Sequence, residues 1–337
     1  MKAIGYTQSL PITEERALFE FEAAAPLPGP RDLLVRVKAI SVNPVDTKVR
    51  MRRAGSPEAP VILGWDAAGV VEAVGAEVTL FKAGDAVFYA GDLNRPGTNA
   101  ELHLVDERLV GPKPATLDFA EAAALPLTSL TAWEGLFDRL QVPRDGGEGA
   151  NLLIVGAAGG VGSMAVQLAR QLTRLTVIGT ASRPESRAWV ERLGAHAVID
   201  HSRPLSEEIA AAGLGEIDYT FSLTQTDRHW PEIIKAARPQ GRLALIDDPA
   251  SLDPLPLKAK SLSLHWELMF TRSLFATPDM VRQHEILAEV SRLVDAGTLI
   301  ATAGTRLGAI NAQNLKRAHA ALESGATIGK IVLEGWD

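Results

Sequence analysis

The segment at residues 151–170, NLLIVGAAGGVGSMAVQLAR, contains the residue types whose spacing most clearly predicts chemistry. A short apolar run leads into a cluster of four glycines, and a helical pattern begins directly after them. Glycines in such a turn let the backbone approach a pyrophosphate, and the free N–H groups of the helix start favour its negative charge. In the G-x-G-x-x-G pattern the first position is Ala157, whereas Gly159 and Gly162 match. We therefore expect a dinucleotide site with contacts from Gly156, Ala158, Gly159, Gly160 and Val161.

The end of the next apolar segment, residues 175–179, indicates which dinucleotide binds. An NAD site usually has Asp or Glu about 20 residues after the glycine turn, paired to the ribose 2′-OH. Here Thr180-Ala181-Ser182-Arg183 follows, without a carboxylate. Ser182 can hydrogen-bond a 2′-phosphate, and Arg183 and Arg187 can neutralise it, although an arginine at a helix start can also be simply solvated. We predict NADPH, with Thr180, Ser182, Arg183 and Arg187 among its contacts.

The composition limits the classes of protein to be considered. The chain has 337 residues, of which 46% are hydrophobic and 22% charged, values typical of a soluble globular protein long enough for two domains. A net charge of −7 argues against a nucleic-acid or anionic-membrane partner. No apolar run approaches the roughly 18 residues of a transmembrane helix, and the N-terminus lacks the apolar core of a signal peptide. We expect a cytoplasmic protein.

Alternation of strands and helices predicts the sheet that would position the glycine turn. From residue 151 onward, short apolar runs alternate with helical patterns across short loops, which implies a parallel sheet covered on both faces. One helix, at residues 184–193, should close at Gly194, where glycine is favoured. The predicted strands are residues 152–155, 175–179, 197–199, 217–221, 242–246 and 262–266.

The chain before residue 151 has a different pattern. Short strands broken by glycine and proline, such as residues 33–39 and 69–74, indicate a β-rich barrel or curled sheet. Helical spacing begins at residues 120–124 and continues at 127–140.

After about residue 270 the strand–helix alternation stops. Two helices, at residues 280–296 and 312–323, precede a strand at 329–333 that is too short to found a domain. We infer that this tail returns to the first domain. The fold class is α/β, with a discontinuous β-rich catalytic domain at residues 1–126 and 270–337 and a doubly wound nucleotide domain at 127–269.

Five motifs, in this order, resemble the medium-chain dehydrogenase/reductase superfamily, and most of all its zinc-free quinone oxidoreductase branch. The subgroup to which the sequence is most similar carries the name zinc-type alcohol dehydrogenase-like. The resemblance covers nearly the whole chain, and it implies a GroES-like domain, a Rossmann domain and a homodimer. The motifs are Asn43-Pro44-Val45-Asp46, Gly64-Trp65-Asp66-Ala67-Ala68-Gly69, residues 127–133, residues 156–162 and Gly329-Lys330-Ile331-Val332.

Residue types at the positions where metal-dependent relatives bind zinc predict that this chain does not bind it. The resemblance places Asn43 at the first zinc cysteine and Gly64-Trp65-Asp66 at the GHE-like position. The chain has no cysteine, and its seven histidines include no H-x-x-x-H pair. Because protein zinc sites use N and S ligands in tetrahedral geometry, we expect no metal. Without a Lewis acid, alcohol oxidation is disfavoured, and substrates that delocalise the negative charge themselves are favoured.

The remaining candidates lie on loops that the resemblance assigns to the site, and each has an ordinary structural alternative. Asn43 and Asp46 are assigned near the nicotinamide, although both residue types are common in turns. Thr128 is assigned to the cofactor phosphates or nicotinamide; alternatively it caps the following helix. His201 replaces a tyrosine near the adenosine, and Lys330 matches a C-terminal cofactor contact; either is otherwise a surface residue. Candidate contacts after the fourth to sixth strands are Ser222, Leu223, Thr224, Ile246, Asp247 and Phe270, of which Phe270 could instead fill core.

No residue type identifies the catalytic acid. Some quinone reductases have a tyrosine about ten residues after the Asn-Pro-x-Asp loop, but this chain has Met51-Arg52-Arg53-Ala54 there. Asn43, Asp46 and Lys330 are the candidate catalytic residues. For the acid, Asp46 and Lys330 are the best remaining polar groups, and Arg50 is a further candidate. The alternative is that no general acid acts and that positioning supplies most of the catalysis.

These residues predict a zinc-independent NADPH-dependent reductase. Hydride would pass to a small-molecule substrate, a quinone or an electron-poor C=C, in a cleft between the domains. An alternative within the same chemistry is an enoyl-thioester or enone reductase. An alternative of a different class is a non-enzymatic NADPH-binding sensor that kept the fold and lost turnover.

Overall fold

The computed structural model describes residues 1–337, and the chain divides into two compact units. The first consists of Met1–Leu127 and Phe270–Asp337, and the second of Thr128–Met269. No helix combines the length and the apolar character needed to cross a membrane.

Sixteen strands and ten α-helices form these units. The strands β1 to β16 are Lys2–Tyr6, Phe19–Glu22, Asp32–Val42, Val61–Ile62, Ala67–Val74, Ala86–Tyr89, Leu102–Asp106, Val110–Pro112, Asn151–Val155, Thr176–Thr180, Ala197–Ile199, Ile217–Ser222, Ala237–Leu245, Ser263–Trp266, Ala303–Arg306 and Lys330–Glu334. The helices α1 to α10 are Pro44–Arg52, Phe119–Ala123, Pro126–Trp133, Gly160–Leu172, Pro184–Arg192, Leu205–Ala211, Thr226–Ala236, Thr271–Leu274, Arg282–Asp295 and Ala312–Glu323. Short 3-10 helices lie at Glu15–Ala17, Glu107–Leu109 and Leu255–Lys260, and a π-helix at Glu134–Arg139.

The first unit is built around the long strand β3. In a seven-stranded sheet ordered β15-β16-β3-β5-β6-β8, the strand β7 also pairs with β3. The C-terminal strand β16 runs antiparallel to β3, with Ile331 opposite Val42. This pairing brings Lys330, at the start of β16, beside the end of β3, where the chain enters α1. A three-stranded sheet, β2-β1-β4, completes the unit.

The second unit is a six-stranded parallel sheet in the order β11-β10-β9-β12-β13-β14. The central strand β9 buries four apolar residues in a row because helices cover both faces of such a sheet. Gly194, at φ 101°, closes α5 as expected. The predicted α/β class, with a β-rich unit and a doubly wound parallel-sheet unit, is confirmed.

Two predicted elements differ from the structure. The fifth strand of the parallel sheet begins at Ala237 rather than at residue 242. Its first part carries exposed polar residues and proline, so apolar periodicity gives no signal there. The helix expected over residues 127–140 begins at Pro126 and becomes a π-helix after Trp133. In the π-helix a Cβ on Gly135 would lie 2.2 Å from Cζ of Phe221, so glycine leaves room for that ring.

Candidate functional site

The glycine turn between β9 and α4 forms a cradle that is lined with backbone amides. Gly156 has φ 81°, a conformation that favours glycine. The first hydrogen bond of α4 runs from the Ser163 N–H to the Gly159 carbonyl (2.8 Å), so the amides of residues 160–162 precede it. A Cβ on Gly159 would meet only the Gly156 oxygen, at 3.6 Å. Open space beside free amides at a helix start fits a pyrophosphate.

Gly162, in the same segment, is needed for packing rather than for open space. A Cβ on this residue would lie 2.6 Å from the backbone of Ala157. The absence of a side chain therefore allows α4 to pack directly against the turn, the role of the third glycine in dinucleotide sites. The predicted contacts Ala158, Gly160 and Val161 are half-buried around the turn.

A chain of hydrogen bonds connects the glycine turn to the ends of the two neighbouring strands. Oγ1 of Thr180, the last residue of β10, accepts the Gly156 N–H at 3.0 Å. The same oxygen lies 3.0 Å from Nδ1 of His201, two residues beyond β11. Burial lowers the pKa of His201; the Asp200 carboxylate opposes this, whereas the guanidinium groups of Arg228 and Arg183 lower the pKa further. The structure thus brings Gly156, Thr180 and His201 together.

The residues predicted to contact a 2′-phosphate follow β10. Ser182 and Arg183 are exposed. Arg187 is half-buried, and its Nη2 donates to the Val198 carbonyl at 2.8 Å, which orients its guanidinium towards β11. Ser182 and Arg183 are therefore the stronger candidates of the set.

The loops after β12 and β13 are joined by side-chain hydrogen bonds. Asp247 accepts the Thr226 N–H at 2.9 Å and the Thr226 hydroxyl at 2.5 Å, and Oγ of Ser222 lies 2.7 Å from that hydroxyl. Asp247 therefore fixes the start of α7, a role that the sequence does not show. The neighbouring Thr224 lies over the glycine turn, since its Cγ2 would be 2.8 Å from a Cβ on Gly156. Leu223 and Ile246 are half-buried beside it.

A buried polar cluster forms in the first unit at the start of α1. Nζ of Lys330 donates to the carbonyl of Val42 (2.9 Å), to Oδ1 of Asn43 and to Oδ2 of Asp66 (3.0 Å). Asp66 also accepts the Asn43 side-chain amide at 2.8 Å and the Leu127 N–H at 2.8 Å. Burial raises the pKa of Asp66, and Lys330, Asn43 and the Leu127 amide oppose that rise. All three ammonium hydrogens of Lys330 are engaged.

Asp46 lies in the first turn of α1 beside this cluster. Its Oδ2 accepts the Asn43 N–H at 2.5 Å, a capping interaction, and its Oδ1 has no hydrogen-bond partner. Burial raises the pKa of Asp46 to about 7, opposed by the Asn43 N–H and Lys330 and reinforced by Asp66. Asn43, Asp46 and Lys330, predicted from two separate motifs, thus lie together.

Two other predicted residues occupy core positions. Thr128 is 2% exposed and lies inside the first turn of α3, which begins at Pro126, so it is not the N-cap residue of that helix. Phe270 is 2% exposed, and its ring lies edge-on to that of Trp65, with centroids 6.4 Å apart.

Sequence reasoning missed four residues at these sites. Asp66 was noted only as part of the family motif at the GHE-like position, with no role of its own, and Thr226 was not noted. Arg228 and His229, at the start of α7, lie near His201, and the two imidazole rings are 6.0 Å apart. The available signal was the position of residues 226–229 after the fourth strand, at the edge where such sheets bind ligands.

Comparisons with known proteins identify the family. Residues 29–115 match the alcohol dehydrogenase GroES-like domain, and residues 160–291 match the zinc-binding dehydrogenase domain. A zinc-type alcohol dehydrogenase-like protein of Staphylococcus aureus strain Mu50 is 39% identical over 336 residues, 99% of both chains. The chain belongs to the medium-chain dehydrogenase/reductase family. It is therefore an oxidoreductase of that family, and the predicted resemblance is confirmed.

Proteins that resemble this chain are named for different activities. A solved structure from Rhizobium etli CFN 42, named as a zinc-dependent alcohol dehydrogenase, is 58% identical, with a TM-score of 0.96 over 100% of this chain and 98% of that one. A quinone oxidoreductase of Lama guanicoe is 35% identical over 196 residues, 58% of this chain and 57% of its own. A 2-methylene-furan-3-one reductase of Solanum lycopersicum is 34% identical over 220 residues, 62% of this chain and 54% of its own.

The zinc named for some family members does not match the donor groups of the buried cluster. Protein zinc sites use thiolate, imidazole and carboxylate ligands. Asn43 and Asp66 are already bound to Lys330, whose ammonium is a cation in the same cluster. The Trp65 ring packs against Phe270, and its Nε1 donates to the Asp92 carbonyl at 3.2 Å. No group of three or more His, Cys, Asp or Glu side chains in the structure could hold a metal ion.

Proposed function

We propose that this protein is a zinc-independent NADPH-dependent reductase that transfers hydride to a quinone or an electron-poor C=C. The observation that carries the proposal is the buried Asn43–Asp66–Lys330 cluster. In this cluster Asn43 and Asp66 come from the motifs by which zinc-dependent relatives bind their metal, and those motifs supply no thiolate or imidazole here. Lys330, from the C-terminal motif, places an ammonium beside them. Zinc stabilises an alkoxide during alcohol oxidation, and a reaction without it needs a substrate that delocalises the developing negative charge.

The cofactor proposal is supported by the glycine turn and by the end of β10. The turn offers a cradle for a pyrophosphate, so the residues fit a dinucleotide. After β10 the chain has Ser182 and Arg183 and no carboxylate, which favours NADPH over NADH because a carboxylate would repel the 2′-phosphate. NADPH supplies the hydride when bound. This chain contributes binding, orientation and the electrostatic environment.

Asn43, Asp46 and Lys330 are our candidates for the polar groups of the reaction. Lys330 donates to Val42, Asn43 and Asp66, so we assign it a positioning role through Asn43 rather than that of an acid. Asp46 is the better proton donor because its pKa, raised by burial to about 7, lies near neutral pH.

Quinone and enone acceptors are both supported by named relatives, and they share the chemistry of a delocalised anion. We favour the quinone, since the quinone oxidoreductase branch shares the motifs of this chain. The enone reductase remains a second candidate on the strength of the 34% identity to the 2-methylene-furan-3-one reductase.

We also propose a homodimer formed through the edge strand β14. Trp266 and Leu268 are two positions apart and are 54% and 49% exposed, an unusual exposure for large apolar side chains at the edge of a sheet. Light scattering should show a dimer that Trp266→Lys with Leu268→Lys converts to monomer. A wild-type monomer at micromolar concentration would contradict this proposal.

The reaction is tested by NADPH oxidation at 340 nm with a quinone, an enone and an aldehyde in parallel. Turnover of the quinone alone supports the favoured reaction. An enone reductase would instead yield saturated product, with solvent deuterium at the carbon α to the carbonyl in D2O. Tight NADPH binding without oxidation by any acceptor would contradict the enzyme and favour a sensor.

A further inference from the structure

Arg228 is an exposed cation at the ligand-binding edge of the parallel sheet. It is the third residue of α7, and its Nη1 donates to Oε1 of Gln225 at 3.3 Å. That contact holds the guanidinium at the start of the helix, next to the carboxyl end of β12. Ligands of open α/β sheets bind at this edge.

The start of α7 is held in place by buried side chains. Thr226 is fully buried, and its N–H and hydroxyl are both bound by Asp247, while Ser222 contacts the hydroxyl. Thr226 lies two residues before Arg228, so this anchor fixes the backbone from which the Arg228 side chain extends. A group held in advance loses less entropy when it binds a ligand.

The cation also belongs to the group of side chains at the end of β10 and β11. The His229 ring, on the next residue, meets the His201 ring edge-on with centroids 6.0 Å apart, and His201 in turn contacts Thr180 at 3.0 Å. Burial lowers the pKa of His201 and the Asp200 carboxylate opposes this, whereas the guanidinium groups of Arg228 and Arg183 both lower it further.

Asp200 and Asp227 directly precede His201 and Arg228 in the sequence, and the carboxylate of Asp247 is bound to Thr226. Oδ1 of Asp200 accepts the Ser202 N–H at 2.8 Å, and Oδ1 of Asp227 accepts the Arg228 N–H at 2.9 Å. Both therefore bind backbone amides of their own loops, and the Arg228 guanidinium pairs with a neutral amide.

We propose that Arg228 is a second cationic contact for the 2′-phosphate of NADPH and determines cofactor specificity together with Arg183. This inference rests on the proposed use of NADPH. A phosphate monoester carries nearly two negative charges near neutral pH, which a single guanidinium does not balance. Cations from the loop after β10 and from α7 would hold the phosphate between them.

The test is calorimetric titration of the full-length protein with 2′,5′-ADP and with 5′-AMP, which differ by the 2′-phosphate. Arg228→Ala should weaken binding of 2′,5′-ADP by about 10- to 100-fold, the range expected for a hydrogen bond to a charged group. Binding of 5′-AMP should change less than about twofold, within ordinary additive error. The matched control is Arg203→Ala, an exposed arginine whose Nη1 lies 3.4 Å from Glu208, and it should change neither ligand.

Three other titration results would overturn either the role of Arg228 or the proposed cofactor. Equal weakening of both ligands would show that Arg228 contacts the adenosine and would overturn the inference. The inference would also be overturned if Arg228→Ala kept the preference for 2′,5′-ADP over 5′-AMP while Arg183→Ala lost it. In that case the proposed use of NADPH would still hold. A wild-type protein that binds 5′-AMP as tightly as 2′,5′-ADP would overturn the proposed cofactor itself.

Discussion

Lys330 and Asp66, 264 residues apart in the sequence, form a buried ion pair with Nζ 3.0 Å from Oδ2. Their side chains are 4% and 0% exposed, so neither charge is solvated by bulk water. The pair joins the C-terminal strand β16 to the chain that enters β5.

Lys330→Met should lower the free energy of unfolding by about 3–5 kcal/mol, because it leaves the Asp66 charge buried without its partner. Urea denaturation measures the change. The double variant Lys330→Met with Asp66→Asn should recover part of the loss, and Lys82→Met, at an exposed lysine of the same unit, should change little. A loss below about 1 kcal/mol for Lys330→Met, the value of a surface pair, would contradict this account.

Asp46 predicts a pH dependence of stability. Its folded pKa of about 7 lies above the ordinary value of 3.8, so the protonated form is favoured on folding. Its contribution is complete below the unfolded pKa and is lost as the pH rises towards 7. His103 and His319, whose pKa values burial lowers to about 4 and about 3, act in the opposite sense. We therefore compare the free energy of unfolding of wild type with that of Asp46→Asn, measured by urea denaturation at each pH from 4 to 8.

The free energy of unfolding of Asp46→Asn relative to wild type should rise from pH 4 to about 7 and then level off. Thr47→Ala, at the adjacent position and without a titrating group, is the control and should show no such trend. A constant difference between Asp46→Asn and wild type at every pH would refute the buried, proton-binding carboxyl.

Gly159 and Gly162 should respond differently to the same substitution. Gly162→Ala places a Cβ 2.6 Å from the Ala157 backbone, so it should cost about 1–3 kcal/mol of stability by overpacking. Gly159→Ala meets only one atom, at 3.6 Å, and should fold normally while weakening NADPH binding, because its Cβ occupies the cradle. Denaturation and fluorescence titration separate the two effects. Normal NADPH affinity in Gly159→Ala would place the pyrophosphate elsewhere.

Arg183→Ala should weaken NADPH binding by about 1.5–3 kcal/mol, the range for a hydrogen bond to a charged group, and hardly affect NADH. Titration with both cofactors measures this. Equal loss for both would show that Arg183 does not contact the 2′-phosphate. Arg192→Ala, at an exposed arginine that ends α5, the helix that Arg183 precedes, provides the control.

Local patterns predicted the parts of the structure that depend on neighbours in sequence. The strand, turn and helix around Gly159 and Gly162 could be predicted because each needs particular residue types, apolar residues in the strand and glycines in the turn. The family motifs placed Asn43, Asp46 and Lys330 at one site, and the structure brings these three residues together.

Contacts between distant segments could not be read in this way. The three hydrogen bonds of the Lys330 ammonium form only because β16 pairs with β3. Asp247 fixes the start of α7 by binding Thr226, which lies 21 residues earlier. Arg228 was not among the predicted residues, since nothing in its own helix reveals the proximity of His201. The start of β13 at Ala237 could not be predicted because several of its first residues are polar and exposed.

The most direct test of the central claim is NADPH oxidation by metal-stripped protein with a quinone acceptor, measured with chelator and again with added zinc. The account predicts turnover of the same rate in both conditions, with bound zinc below stoichiometric amounts by elemental analysis. Quinone or aldehyde reduction that appears only when zinc is restored would contradict it.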